Sequence, residues 1–134
     1  WDTKNNLPFL REVVATFKAK GIRTSIFVDP NTEMIPYAAE AGADRVELYT
    51  ESYASAYAAG REKAIAPFLA TAQEAARFGL GVNGGHDLNL DNLHYFAETI
   101  PNLLEVSIGH ALISDAIYLG LENTIQLYLR QLKK

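Results

Sequence analysis

The chain has 134 residues, 12 basic and 16 acidic, for a net charge of −4, and 49% of it is hydrophobic. That balance offers no electrostatic footprint for nucleic acid or an anionic membrane, and no apolar run approaches the ~20 residues of a membrane helix, so neither partner is expected. The absence of cysteine excludes disulfides, thiolate metal sites and a cysteine nucleophile.

Trp1 is the first residue, and this terminus is expected not to be where translation began. Leu7, Leu10, Val13, Val14 and Phe17 recur at spacings of three and four, which predicts a helix over 5–20 that Gly21 ends. The β-branched and aromatic run 23–29 predicts a strand, because Pro30 cannot continue a ladder. Asn31 or Thr32 can cap a helix over 33–41, closed by Gly42. A second strand over 44–50 alternates, with Val46 and Leu48 on one face and Arg45, Glu47 and Tyr49 on the other. Residues 51–60 read as a loop or irregular helical turn, and a long helix is expected from Arg61 to Phe78.

A third strand, 80–85, leads into Val82-Asn83-Gly84-Gly85-His86-Asp87-Leu88-Asn89, where a double glycine precedes a titratable histidine and a helix with Asx-type capping residues. Strand parity puts His86 in phase with Val82 and Gly84, the outward set if Asn83 points inward, unless the glycines reset the phase. Leu90, Leu93, Phe96 and Ala97 give a helix that Pro101 terminates. A fourth strand, 104–108, alternates Glu105 and Ser107 against Leu104, Val106 and Ile108. Gly109-His110 opens two helical pieces, 111–119 and 122–132, separated by Gly120, and the basic residues of 130–134 form a helix end.

A helix followed by four βα units has the cadence of a parallel α/β fold. An open flavodoxin-like sheet would be complete at this length, whereas a (β/α)₈ barrel needs ~250 residues. Arg45, Glu47, Glu105 and Ser107 favour the barrel, because the middle strands of an open sheet read apolar on both faces. The expectation is therefore the carboxyl-terminal half of a TIM barrel, with 134 residues forming one partial domain.

The candidate chemistry lies at strand ends. His86 suits a general acid or base at neutral pH, and the glycines beside it admit a substrate to the backbone, although a histidine capping the next helix has the same spacing. Glu47 either pairs with Arg45 or another basic residue, or binds a polar or cationic substrate group. Glu105 and Ser107 read as polar filling of the core. Gly109 and His110 make an anion site at a helix amino terminus, or else a packing glycine and a capping histidine. Asp29 reads as a turn residue, His94 as a solvent-facing helical residue, and Tyr53 with Tyr57 as loop packing.

Together, Ser25-Ile26-Phe27-Val28-Asp29, Val46-Glu47-Leu48-Tyr49-Thr50, Val82-Asn83-Gly84-Gly85-His86-Asp87-Leu88 and Ser107-Ile108-Gly109-His110-Ala111-Leu112-Ile113 resemble the pyridoxine 5′-phosphate synthase family along the whole chain. The resemblance implies a cytoplasmic TIM-barrel transferase of vitamin B6 biosynthesis. Its reaction would condense 3-amino-2-oxopropyl phosphate with 1-deoxy-D-xylulose 5-phosphate, giving pyridoxine 5′-phosphate, phosphate and water without a metal or organic cofactor. It implies His86 as proton donor, Glu47 as stabiliser of the reacting species, Gly109 and His110 as a phosphate-binding pair, and Asp87 at a substrate-contact position. Phosphorylated small molecules, an amino-terminal half-barrel and further copies in a homo-oligomer are the implied partners, and this chain alone is expected to be inactive. The other readings are a different phosphate-binding barrel enzyme and a non-catalytic open-sheet anion-binding module. A Schiff-base aldolase is disfavoured, because every lysine falls on a helix or at the amino terminus.

Overall fold

A computed structural model describes residues 1–133, so Lys134, the last residue of the basic terminal stretch, lies outside the described residues. The elements are α1 (Leu7–Lys18), β1 (Ser25–Val28), a single 3₁₀ turn (Thr32–Met34), α2 (Ile35–Glu40), β2 (Arg45–Tyr49), α3 (Glu51–Arg77), β3 (Gly81–Gly85), α4 (Leu93–Thr99), β4 (Leu103–Ser107), α5 (His110–Leu119) and α6 (Leu121–Gln131). Asn31 is the residue that caps the 3₁₀ turn, its side-chain oxygen accepting the Glu33 N–H at 3.0 Å.

The sheet is parallel throughout, in the order β1-β2-β3-β4. This order decides between the two expected architectures. An open doubly wound sheet reverses direction at a switch point and carries helices on both faces. Here neighbours in sequence are neighbours in space, and only one face is covered. Ile26, Val28, Val46, Leu48 and Val82 are buried against the helices with Ile35, Phe68, Leu93 and Phe96. The other face carries Ser25, Phe27, Arg45, Glu47, Tyr49, Asn83, Glu105 and Ser107, the side that a closed barrel turns toward its lumen. The arrangement is half of a (β/α)₈ barrel.

Two expectations are corrected. Residues 51–60 are helical, so α3 runs from Glu51 and is broken only at Gly60, whose backbone leaves helical geometry. Tyr53 thereby lands on a helix and is wholly buried, stacked edge-on among Tyr57 and Phe68 and tilted against Phe96, while its hydroxyl donates to the Asn92 carbonyl at 2.7 Å. Burial pushes its hydroxyl pKa upward.

The strand parity of β4 also differs. Val82 lies opposite Leu103 but Asn83 lies opposite Glu105, so Leu104 is an extra residue. This bulge leaves Leu104 54% exposed on the inner face, where its Cδ1 sits 2.7 Å from the position a Cβ on Gly81 would occupy. His94 is solvent-facing as expected, and its Nδ1 hydrogen-bonds the Gln131 carbonyl at 3.0 Å, joining α4 to α6.

Candidate functional site

The polar face of the sheet divides into two levels. Toward the amino-terminal ends of the strands, Glu105 accepts two hydrogen bonds from Arg23, each 2.9 Å, and pairs with Arg45 at 3.0 Å. Asn83 completes the cluster, accepting from Arg45 at 3.1 Å and donating to Glu105 at 3.3 Å. Arg23, ahead of β1, thus reaches across the concave face to β4. The Arg23 guanidinium, with Arg45 beside it, holds the Glu105 carboxyl below its ordinary range. Polar filling was the expectation for Glu105, and an ion-pair network is what it forms.

This network takes Arg45 away from Glu47. Among the described residues, no hydrogen bond or ion pair engages the Glu47 carboxylate. The expected alternative, a structural Arg45–Glu47 pair, is therefore not what these side chains make. Glu47 instead belongs to the second level, at the carboxyl ends of the strands. There Phe27, Glu47, His86, Ser107, Ile108, Gly109 and His110 line an open cleft of about 420 Å³.

Backbone geometry explains how His86 arrives there against its strand parity. Its φ of 113° is positive, a conformation that costs a non-glycine residue of order 1–3 kcal/mol. The left-handed turn rotates the side chain out of the Val82 and Gly84 phase and onto the inner face. Its ring meets Tyr49 edge-on at 5.3 Å, and Tyr49 in turn packs on Phe27 at 5.2 Å. The conformation is fixed on both sides: the His86 N–H donates to the Ser107 carbonyl at 3.1 Å, and the Gly85 carbonyl accepts from both the amide and the hydroxyl of Thr50, at 3.1 and 2.8 Å.

The two glycines have separate reasons. A Cβ on Gly84 would lie 2.6 Å from buried Phe96, on the helix side. On Gly85 it would lie 2.7 Å from Glu47 Oε1 and 2.8 Å from the Ser107 carbonyl oxygen, on the cleft side. Gly85 is therefore what lets the Glu47 carboxylate stand beside β4.

Gly109 precedes α5 without a side-chain cap, and nothing lies within 4 Å of where its Cβ would be. That removes the packing explanation for this glycine. The first amides of α5 open at the cleft, and an uncapped helix amino terminus carries partial positive charge.

Asp87 does not line the cleft. Its carboxylate Oδ2 lies 2.9 Å from His86 Nδ1. Phe27, Ser107 and Ile108 were not among the candidate site residues named from the sequence. For Phe27 a signal existed, since it shares the phase of Ser25 on a strand whose Ile26 and Val28 face the core.

Residues 1–134 match the family model described as pyridoxal phosphate biosynthesis protein PdxJ. A pyridoxine 5′-phosphate synthase of Bacteroides fragilis is 64% identical over 128 residues, covering 96% of this chain and 54% of that protein. The enzyme of the same name from Cytophaga hutchinsonii is 59% identical over 134 residues, covering 100% of this chain and 56% of its own length. The chain spans about half the length of the curated relatives it matches.

Proposed function

The chain belongs to the family of the pyridoxal phosphate biosynthesis protein PdxJ, and from that premise we propose that it forms one wall of a pyridoxine 5′-phosphate synthase active site. The reaction is condensation of 3-amino-2-oxopropyl phosphate with 1-deoxy-D-xylulose 5-phosphate to give pyridoxine 5′-phosphate, phosphate and water. The observation that carries the reading is the meeting of Glu47, His86, Gly109 and His110 around one cleft at the carboxyl ends of the strands, where barrel enzymes keep their chemistry.

Each group has a role that its surroundings support. Ring closure between an amino ketone and a ketose phosphate requires proton transfers and loss of water and phosphate, so it needs a group that titrates near neutrality. His86 brings an imidazole to the cleft for that role, acting as proton donor to the departing oxygen. Glu47, without a protein partner among the described residues, stabilises positive charge that develops on the condensing nitrogen. The uncapped start of α5 at Gly109 and His110 receives a substrate phosphate, its backbone N–H groups aimed at the anion. The Asp87 backbone N–H, which engages no acceptor among the described residues, is offered as a further substrate contact. No cofactor enters the scheme. The complete enzyme works with the amino-terminal half present in its relatives, as a homo-oligomer in the cytoplasm.

The test is turnover of the two phosphorylated substrates by the full-length protein that carries this half. His86→Ala should lower kcat by about 10²- to 10⁴-fold, the usual contribution of a positioned acid or base. Glu47→Gln should lower kcat with little change in KM, as expected for an interaction made in the transition state. A His86→Ala enzyme that keeps its wild-type rate would overturn the assignment.

A further inference from the structure

His86 and Asp87 are adjacent in sequence, and adjacent side chains in an extended segment point to opposite sides. The positive φ at His86 cancels that divergence and brings the Asp87 carboxylate to 2.9 Å from His86 Nδ1. Both side chains remain partly exposed, 62% and 39%, so the contact is not forced by core packing. A carboxylate can only accept a hydrogen bond, which means Nδ1 carries a proton in this arrangement and Nε2 is the nitrogen left for the cleft. The cleft itself is lined by His86 and not by Asp87.

We propose that Asp87 is a positioning residue for His86: it fixes the imidazole with Nδ1–H toward the carboxylate and so directs Nε2 at the substrate. The inference rests on the proton-donor role assigned to His86 above and adds to it the identity of the group that makes that role possible. The arrangement follows the logic of carboxylate-oriented histidines in hydrolytic triads, where the acid holds tautomer and orientation without itself reacting. When His86 gives up its Nε2 proton, the neutral ring left behind is the tautomer that Asp87 already binds. No rearrangement is then needed before the next protonation. Edge contact with Tyr49 at 5.3 Å and the His86 N–H bond to Ser107 limit the ring and its backbone. Asp87 is the only one of these partners that discriminates between the two ring nitrogens.

The experiment uses the full-length enzyme with Asp87→Asn, Asp87→Gly and Asp87→Glu, in two arms. Steady-state kinetics should show kcat falling about tenfold or more in Asp87→Asn and Asp87→Gly, with KM for each substrate within about threefold of wild type, and substantial recovery in Asp87→Glu. Nitrogen-15 spectra of histidine-labelled protein, with the His86 signals assigned by His86→Ala, should show the Nδ1–H tautomer dominant in the wild type and diminished in Asp87→Gly. A purely structural role would lower stability without moving the tautomer. The proposal is overturned if Asp87→Gly keeps kcat within twofold of wild type, or if the tautomer balance is the same with and without the carboxylate. Absence of turnover by the wild-type protein would instead defeat the assigned reaction, while the spectra would still decide whether Asp87 orients His86.

Discussion

Gly109 in the cleft and Gly85 beside it make opposite demands, and substitution separates them. Gly85 has no room: an added Cβ meets the Glu47 carboxylate at 2.7 Å and a backbone carbonyl at 2.8 Å. Gly85→Ala should therefore displace Glu47 and strain the β3–β4 pair, costing about 1–3 kcal/mol in urea unfolding and reducing kcat in the full-length enzyme. Gly109 has open space around it and a negative φ of −106°. Gly109→Ala should leave stability within about 0.5 kcal/mol of wild type. If backbone amides there bind phosphate, the methyl group should nevertheless raise KM for a phosphorylated substrate several-fold. An unchanged KM for both substrates would remove Gly109 from the binding site. His86 shows the same economy at residue scale: its unfavourable φ is retained where a neighbouring carbonyl, an aromatic edge and a carboxylate all hold it.

Between elements, acidic side chains tie the early segments to the sheet. The Asp44 carboxylate accepts the Thr24 N–H at 2.8 Å and its hydroxyl at 3.0 Å, and pairs with Lys18 at 3.0 Å, so one residue joins the end of α1, the entry to β1 and the entry to β2. The Thr24 amide bond, followed by Lys18, holds the Asp44 carboxyl below its ordinary value of 3.8, and Arg23 does the same for Glu105 below 4.5. Both groups have folded pKa values lower than their unfolded ones. Their contribution is present above the unfolded values and is lost as pH falls through the folded ones, because the unfolded chain then binds protons first. The urea midpoint should accordingly hold steady down to about pH 5 and fall below about pH 4. Asp44→Asn should lower the midpoint at neutral pH, by the equivalent of about 1 kcal/mol, and weaken its acid dependence. An acid dependence identical to wild type would show that Asp44 carries none of it.

At the scale of the whole molecule, β1 and β4 are the edges of the four-stranded sheet, with no further strand beside either among the described residues, and α5 and α6 carry exposed apolar side chains, among them Ile113, Ile117, Tyr118 and Leu129. Exposed edges and apolar patches of this kind promote association. The 134-residue chain produced by itself should self-associate, measurable by light scattering, and should give no turnover. Co-expression with the amino-terminal segment of a full-length relative should suppress association and restore activity. A monodisperse, active 134-residue chain would contradict both expectations. The sequence alone was enough for the strand-then-helix order, the polar lumen face and the candidates Glu47, His86, Gly109 and His110, because side-chain alternation, glycine placement and helix punctuation are local signals carried by neighbouring residues, whereas Asp87 entered only through the resemblance of its motif to a family. It could not determine that Arg45 turns from Glu47 to Glu105 and Asn83, that residues 51–60 are helical over the Tyr53 aromatic cluster, or that β4 is bulged at Leu104. Each of these is a choice among partners distant in the chain. The side of the sheet on which His86 lies belongs with them, since a positive φ reverses strand parity only where Thr50, just past β2, and Ser107, at the end of β4, hold the turn in place.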